Sequence, residues 1–329
     1  MTTAGAILEP LPSARSAAEK RADRPASSAG SVSVIIPAKN AAAYIGEAID
    51  SVVTQGADVG EIIVIDDGST DDTMPIVRSI RDSRLRLIAN ESAGVSAARN
   101  LGARTASGAW LLFLDADDRL RSGAVATLVA AAKAAPTAVL VYGDYDLIDS
   151  HGRPIGRRGL LKGRSKPSGH VLARLASGNF IVNGGIMLVR ADAFQTAGGF
   201  DEALKFCEDW HCWCRLAAIG EFHFVPALLL DYRLHTANTM NAAARSPRDF
   251  FPSAERVFDD ELILEKLAQD DRPRLRQAAE IHLITYSATQ AIRFGRYSEA
   301  FAYLRMVGQR SLTALPRSTM KLALAWLGI

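Results

Sequence analysis

Residues 110–118 read WLLFLDADD: a five-residue apolar run, Trp110 to Leu114, followed by three carboxylates in four positions, Asp115, Asp117 and Asp118. The apolar run predicts a buried strand, and the acids stand where that strand surfaces. Carboxylates this close repel one another unless a cation or a proton compensates. Two readings follow from this stretch alone. One is a divalent-metal site beside a phosphorylated ligand; the other is an acid-rich turn that caps the next helix.

The flanking sequence places this stretch in a larger pattern. Val32–Ile36 predicts a strand that runs into a loop, Pro37, Ala38, Lys39 and Asn40. Tyr44, Ile45, Ala48, Ile49, Val52 and Val53 recur with helical spacing over 42–55. A second strand, Ile62–Ile65, ends at Asp66 and Asp67, and a third covers Leu85–Ile88. A helix after Gly94, the strand Leu111–Leu114, an Ala-rich helix over 122–134 and a strand at Val139–Tyr142 continue the alternation. This order predicts a parallel sheet with crossover helices. Ligands of such sheets gather at the carboxyl ends of the strands. Three polar strand exits, at Pro37, Asp66–Asp67 and Asp115–Asp118, therefore favour the metal-and-phosphate reading over the capped turn. The first loop has neither a Gly-x-Gly-x-x-Gly fingerprint nor the Gly-Lys-Ser/Thr of a phosphate loop, so nucleoside recognition falls to carboxylates and loop backbone.

Beyond residue 184 the spacing predicts strands at Gly185–Val189, Phe222–Val225 and Leu228–Tyr232, with a helix over 209–219. After Pro252 it predicts helices over 254–269, 273–294, 297–307 and 316–327. This tail has three candidate uses: support of the core, oligomerisation or approach to a membrane. Residues 1–30 are rich in Ala, Ser, Pro and Arg, which predicts a disordered leader. The expected organisation is thus a leader over 1–30, a main α/β domain over 31–240 and a helical region over 241–329.

Composition narrows the function classes. The 329 residues are 48% hydrophobic and 22% charged, as expected of a globular protein, and the net charge of +2 carries no nucleic-acid signature. No apolar run reaches the 18 residues of a membrane span. Arg153, Arg157, Arg158, Lys162, Arg164 and Lys166 crowd a Gly-rich stretch that reads as a solvated loop in preference to an anion site. Cys207, Cys212 and Cys214 with His211 imitate a zinc site, but one residue between Cys212 and Cys214 is too few for the usual ligand spacing. Burial of small thiols in a helix is the better reading, and an odd cysteine count fits a reducing cytoplasm.

Seven stretches in fixed order now carry a resemblance: VSVIIPAKN at 32–40, EIIVIDDGSTD at 61–71, GVSAARNLG at 94–102, GAWLLFLDADD at 108–118, GGFDE at 198–202, EDW at 208–210 and YRLH at 232–235. Together they resemble the family 2 inverting glycosyltransferases. The resemblance implies the GT-A nucleotide-sugar fold, an α/β fold with a mixed central sheet, here followed by the C-terminal helices. It implies a nucleoside-diphosphate sugar donor, most often a UDP-sugar, and a glycan or lipid-linked acceptor hydroxyl in bacterial polysaccharide assembly. The expected setting is cytoplasmic, with peripheral contact at the inner face of the membrane.

The resemblance also implies residue roles. Asp67 would accept a hydrogen bond from the base, with Pro37, Ala38, Lys39 and Asn40 flanking the nucleoside and Asp66 supporting the turn. Arg99 would reach the base or the phosphates. Asp115 and Asp117 occupy the Asp-x-Asp motif, Asp115 toward ribose or the ligand's outer contacts and Asp117 on Mn²⁺ or Mg²⁺, with His235 a second metal candidate. Asp209 takes the catalytic-base position. Glu208, Trp210, Asp118 and Arg233 would shape the acceptor side and the loops. Two positions depart from the pattern: Lys39 stands where relatives carry an aromatic or small residue, and Ser122 where a proline often follows the acidic motif. Nucleotidyl transfer, which would release pyrophosphate, and a silent carbohydrate-binding scaffold are the competing functions. The first lacks its phosphate loop, and the second would not need Asp117 and Asp209.

Overall fold

The computed structural model describes residues 31–155, 165–181, 184–235 and 245–326. The expected leader over 1–30 and most of the basic stretch, residues 156–164, lie outside the described residues. The first half alternates strand and helix as the sequence predicts: β1 (Val32–Ala38), α1 (Ile45–Val53), β2 (Val59–Asp66), α2 (Thr73–Ser79), β3 (Leu85–Ala89), α3 (Val95–Thr105) and β4 (Trp110–Phe113). β1 and β2 are buried along almost their whole length, which is why they read as unbroken Val/Ile runs. A two-residue β5 (Arg119–Leu120), α4 (Ala124–Ala134) and β6 (Ala138–Ile148) follow. After them come α5 (Leu172–Ala176), β7 (Met187–Arg190), α6 (Ala191–Thr196), α7 (Glu208–Ile219) and β8 (Glu221–Arg233).

The eight strands form one sheet in the order β3-β2-β1-β4-β7-β6-β8-β5. β1 pairs in parallel with β2 and β4, and β2 with β3. β7 runs antiparallel to both β4 and β6, and β5 antiparallel to β8, so the sheet is mixed. In the centre the elements differ from the sequence reading. Gly184–Ile186 is a 3₁₀ turn, and the strand starts at Met187. The two short strands expected around Pro226 are one, β8, because Pro226 falls where the β6–β8 register shifts between Tyr142 and Asp144. A proline is tolerated at such an irregularity, where its missing N–H breaks no ladder bond.

The C-terminal helices are α8 (Pro247–Asp259), α9 (Glu261–Lys266), α10 (Arg272–Arg293), α11 (Tyr297–Arg310) and α12 (Leu315–Trp326). Ser246 and Asp249 form a capping box at the start of α8. The continuous helix expected over 254–269 breaks at Asp260, whose extended backbone ends α8 while its carboxylate caps α9 through the Ile263 N–H. One core joins the sheet to α8, α9 and the first half of α10, through Phe250, Val257, Ile263, Ala279 and Leu283. Ala288, Ala291, Ala300 and Leu322 form a smaller separate cluster among α10, α11 and α12. No helix among the described residues is long and apolar enough to cross a membrane.

Candidate active site

The carboxyl ends of β1 and β2 lie side by side, with Pro37 opposite Ile65 and Ala38 opposite Asp66. The Asp67 N–H donates to the Ala38 carbonyl at 2.8 Å, which ties the two exits together. Asp66 is buried and accepts the Ser69 N–H at 3.0 Å. Asp67 Oδ1 accepts from Asn90 Nδ2 at 2.7 Å and the Gly94 N–H at 2.9 Å, and Lys39 Nζ stands 3.5 Å from Oδ2. Lys39 is itself exposed, so this ion pair closes over the loop from outside. Asn40 takes a left-handed backbone, φ 50°, which Asn tolerates, and its Oδ1 accepts the Thr70 N–H at 2.8 Å. The six residues expected around the nucleoside therefore lie together at the adjoining ends of β1 and β2.

β4 ends at Phe113, and the acids follow as a turn in which the Asp118 N–H donates to the Asp115 carbonyl at 3.1 Å. Each acid has a different partner. Arg99 Nη2 donates to Asp115 Oδ1 at 2.7 Å. His235 Nε2 lies 2.9 Å from Asp117 Oδ2. Asp118 Oδ1 accepts the Arg233 N–H at 2.8 Å, while Arg233 Nε donates to the Asp117 carbonyl at 2.8 Å. Burial and the Asp115 charge push the Asp117 carboxyl above its usual range, against the pull of His235. Arg233 is fully buried, pairs with Glu47, and stacks 4.7 Å from the Tyr44 ring centroid. Tyr44 in turn packs against the His235 ring at 4.9 Å. Arg233 thus braces the acidic turn from beneath, and His235 is the member of the pair that reaches an Asp-x-Asp side chain.

Asp117 and His235 offer one oxygen and one nitrogen within 2.9 Å of each other. A Mg²⁺ or Mn²⁺ ion that keeps waters and takes phosphate oxygens needs only one or two such protein donors. The pair fits that requirement. No group of three or more His, Cys, Asp or Glu side chains that could by itself hold a metal occurs among the described residues.

Across the cleft, α7 begins at Glu208 after Cys207, whose left-handed backbone, φ 55°, is strained for a residue with a Cβ. Arg99 Nη1 donates to Glu208 Oε1 at 3.0 Å while its other terminal nitrogen holds Asp115. Arg99 also lies 5.4 Å from the Phe200 ring centroid. Despite its burial, its pKa is raised by the charges of Asp115 and Glu208. Its guanidinium therefore bridges the two acidic loops. Asp209 Oδ1 accepts the Trp210 N–H at 2.7 Å, and Asn179 Nδ2 donates to Oδ2 at 3.3 Å. Burial first, and the adjacent Glu208 charge second, push the Asp209 carboxyl up to about 7. A carboxylate poised near neutrality suits general-base work.

Trp210 is buried and its Nε1–H donates to the Leu175 carbonyl at 2.8 Å, so it anchors α7 to α5. His211 is buried against Asp260 at 3.0 Å, and Cys212 and Cys214 are buried thiols, as the helical reading expects. Phe200 and Glu202 are held by Asn100, through the Phe200 carbonyl and Glu202 Oε1, both at 2.9 Å. Sequence reasoning missed Glu47, Asn90, Asn100 and Asn179, which complete the site from other elements. Asn100 sits inside a quoted motif, and for the other three no local signal existed.

Comparisons with known proteins identify the family and the fold. The sequence profile of the family described as Glycosyl transferase family 2 matches residues 33–197. An uncharacterized glycosyltransferase of Rickettsia prowazekii is 31% identical over 222 residues, which cover 67% of this chain and 69% of that protein. A chondroitin synthase of Escherichia coli is 27% identical over 210 residues, 63% of this chain but only 29% of that longer protein. Among solved structures, S. aureus TarS 1–349 in complex with UDP-GlcNAc superposes with a TM-score of 0.62 at 18% identity, over 90% of this chain and 89% of that one.

Proposed function

Because this chain belongs to glycosyl transferase family 2, we propose a specific division of labour for its site: Asp209 is the base, and the turn at Asp115–Asp118 holds the diphosphate of a uridine nucleotide sugar. The chain is an inverting glycosyltransferase that moves a sugar from a nucleoside-diphosphate donor to a glycan or lipid acceptor in polysaccharide assembly. The uridine assignment is supported by the bound UDP-GlcNAc of the structurally similar S. aureus protein. Lipid-linked glycan acceptors at the inner face of the cell membrane and a cytoplasmic location are part of the same reading.

The single observation that carries the division is the Arg99 bridge. One guanidinium spans Asp115 at 2.7 Å and Glu208 at 3.0 Å, so the diphosphate loop and the base-bearing helix are locked at a set separation. Asp209 takes the proton of the acceptor hydroxyl as that oxygen attacks the anomeric carbon. The bond from the anomeric carbon to the diphosphate oxygen breaks, and the nucleoside diphosphate leaves. The Trp210 N–H holds Asp209 Oδ1 and Asn179 holds Oδ2, which leaves the second lone pair of either oxygen to meet the acceptor. Asp67 and the Pro37–Asn40 loop seat the nucleoside. Asp117 and His235 would hold Mn²⁺ or Mg²⁺, which when bound neutralises charge on the departing diphosphate.

The test is donor hydrolysis with UDP-, GDP- and dTDP-sugars in Mn²⁺, followed by calorimetric titration of UDP. Hydrolysis of a UDP-sugar, with UDP binding that weakens on chelation, is the expected result. Preference for a different nucleotide overturns the uridine assignment, and UDP binding indifferent to metal overturns the role of Asp117 and His235.

A further inference from the structure

Among the described residues eight large apolar side chains are exposed, and all but Val95 fall between 294 and 326. A cluster that dense is unusual on a protein surface and marks an interaction face. Phe301, Leu304, Arg305 and Leu315 line an open groove of about 560 Å³ between α11 and α12. On α12, Ser318, Leu322 and Ala325 face the protein. The opposite arc therefore carries Met320, 58% exposed, and Leu324, with Trp326, 66% exposed, on one flank. Arg317 and Lys321, four residues apart, occupy the other flank and are exposed.

Charge decides what this face fits. Residues 297–326 carry four basic side chains and one acid, Glu299. Glu299 is taken by Arg296, and Arg310 is taken by Glu280. Arg305, Arg317 and Lys321 have no carboxylate partner among the described residues. Arg174, on α5, lies close enough to act on Lys321 and extends the basic flank. Gly178, at the end of the same α5 turn, abuts the ring of His282 on α10, and Asn179 next to it holds Asp209. The basic flank is thus continuous with the side of the molecule that carries the base. A second copy of this face would set cations against cations. An anionic lipid surface matches both halves of the pattern, apolar side chains entering the interface and cations snorkelling to phosphates.

We propose that the outer face of α11 and α12 docks on a membrane surface of anionic lipid, with Met320, Leu324 and Trp326 entering the interface and Arg317, Lys321 and Arg305 holding headgroup phosphates. The docking goes beyond the transfer reaction and stands whichever residue is the base. The test uses the full chain with vesicles of phosphatidylcholine and of an equimolar phosphatidylcholine–phosphatidylglycerol mixture. The chain co-sediments with the second and not the first, and added salt releases it. Brominated acyl chains quench its fluorescence, and Trp326→Phe removes the quench, since Trp210 and Trp213 are buried and Trp110 is half-buried. Arg317→Gln with Lys321→Gln lowers the partition coefficient about 25-fold, roughly fivefold for each cation removed. Donor hydrolysis in solution stays unchanged in these variants and confirms that they are folded. Equal partition onto both vesicles, or parent-level binding by the double variant, overturns the proposal. So does a dimer in sedimentation velocity that Met320→Glu dissociates and that ignores vesicles, because the face then joins two copies of the chain.

Discussion

Two acidic clusters are joined by one guanidinium, Arg99, and their carboxylates are compensated unequally. At Asp115, Asp117 and Asp118 the partners are the Arg99 guanidinium, the His235 ring and the Arg233 backbone N–H in turn. At Glu208 and Asp209 the one available cation, Arg99, binds Glu208, and Asp209 receives only an amide and a backbone N–H. In the first cluster Asp115 is held by a guanidinium, while burial and the Asp115 charge raise the Asp117 carboxyl above its usual range. The second leaves one carboxyl buried near its proton-transfer point. In the proposed division of labour the same residue type takes two roles, and the compensation around it distinguishes them.

The comparison can be broken most severely at Asp209. Asp209→Asn keeps the shape and the bond from the Trp210 N–H but removes the proton acceptor, so kcat falls about 10²–10⁴-fold while UDP binding is retained. Full transfer activity in that variant would end the assignment. Arg99→Met strips both clusters of their shared cation and leaves buried carboxylates uncompensated. Its expected cost is about 3–5 kcal/mol, read as a lower urea midpoint; an unchanged midpoint would mean that the bridge is not structural. His235→Ala attacks only the first cluster. It weakens the effect of Mn²⁺ on UDP affinity by at least the ~10–100-fold that loss of an orienting partner costs, with kcat at saturating metal much less affected.

The pH dependence sharpens the contrast. Asp209 titrates near 7 in the folded chain and at 3.8 in the reference state. The folded state thus holds the proton more tightly, so this group's contribution to stability is complete below pH 3.8 and is lost as pH rises through about 7. Activity moves the other way: log(kcat/KM) climbs with unit slope below pH 7 and levels above it, as the base ionises. In Asp209→Asn the loss of stability between those limits diminishes. Trp210→Phe is the mildest probe. It removes the bond to the Leu175 carbonyl and costs ~1 kcal/mol in stability, with kcat unchanged because the indole anchors a helix and meets no substrate.

What could be read in advance follows the range of the interaction. Strands β1, β2 and β4 were legible because burial on both faces demands consecutive Val, Ile and Leu. The helices over 273–294 and 316–327 were legible within a residue at either end because amphipathic spacing is local. Asp260, which ends one helix and caps the next, was not, since one carboxylate serves α9, His211 and Arg215 together. Arg99 was expected at the nucleotide. Its partners lie 16 and 109 residues away, and only the folded sheet brings both within 3.0 Å.

The sequence by itself determined that strand exits at Pro37, Asp66 and Asp115 carry polar groups, that an acid pair opens a later helix, and that the last helices bear apolar residues with few acids. These are properties of spacing along the chain. Only the tertiary structure decided which carboxylate meets a cation and which stays buried near neutrality, and that Trp210 faces inward while Trp326 faces out. Such choices depend on what arrives from elements a hundred residues distant, because charge compensation and burial act through space and carry no mark in the local sequence.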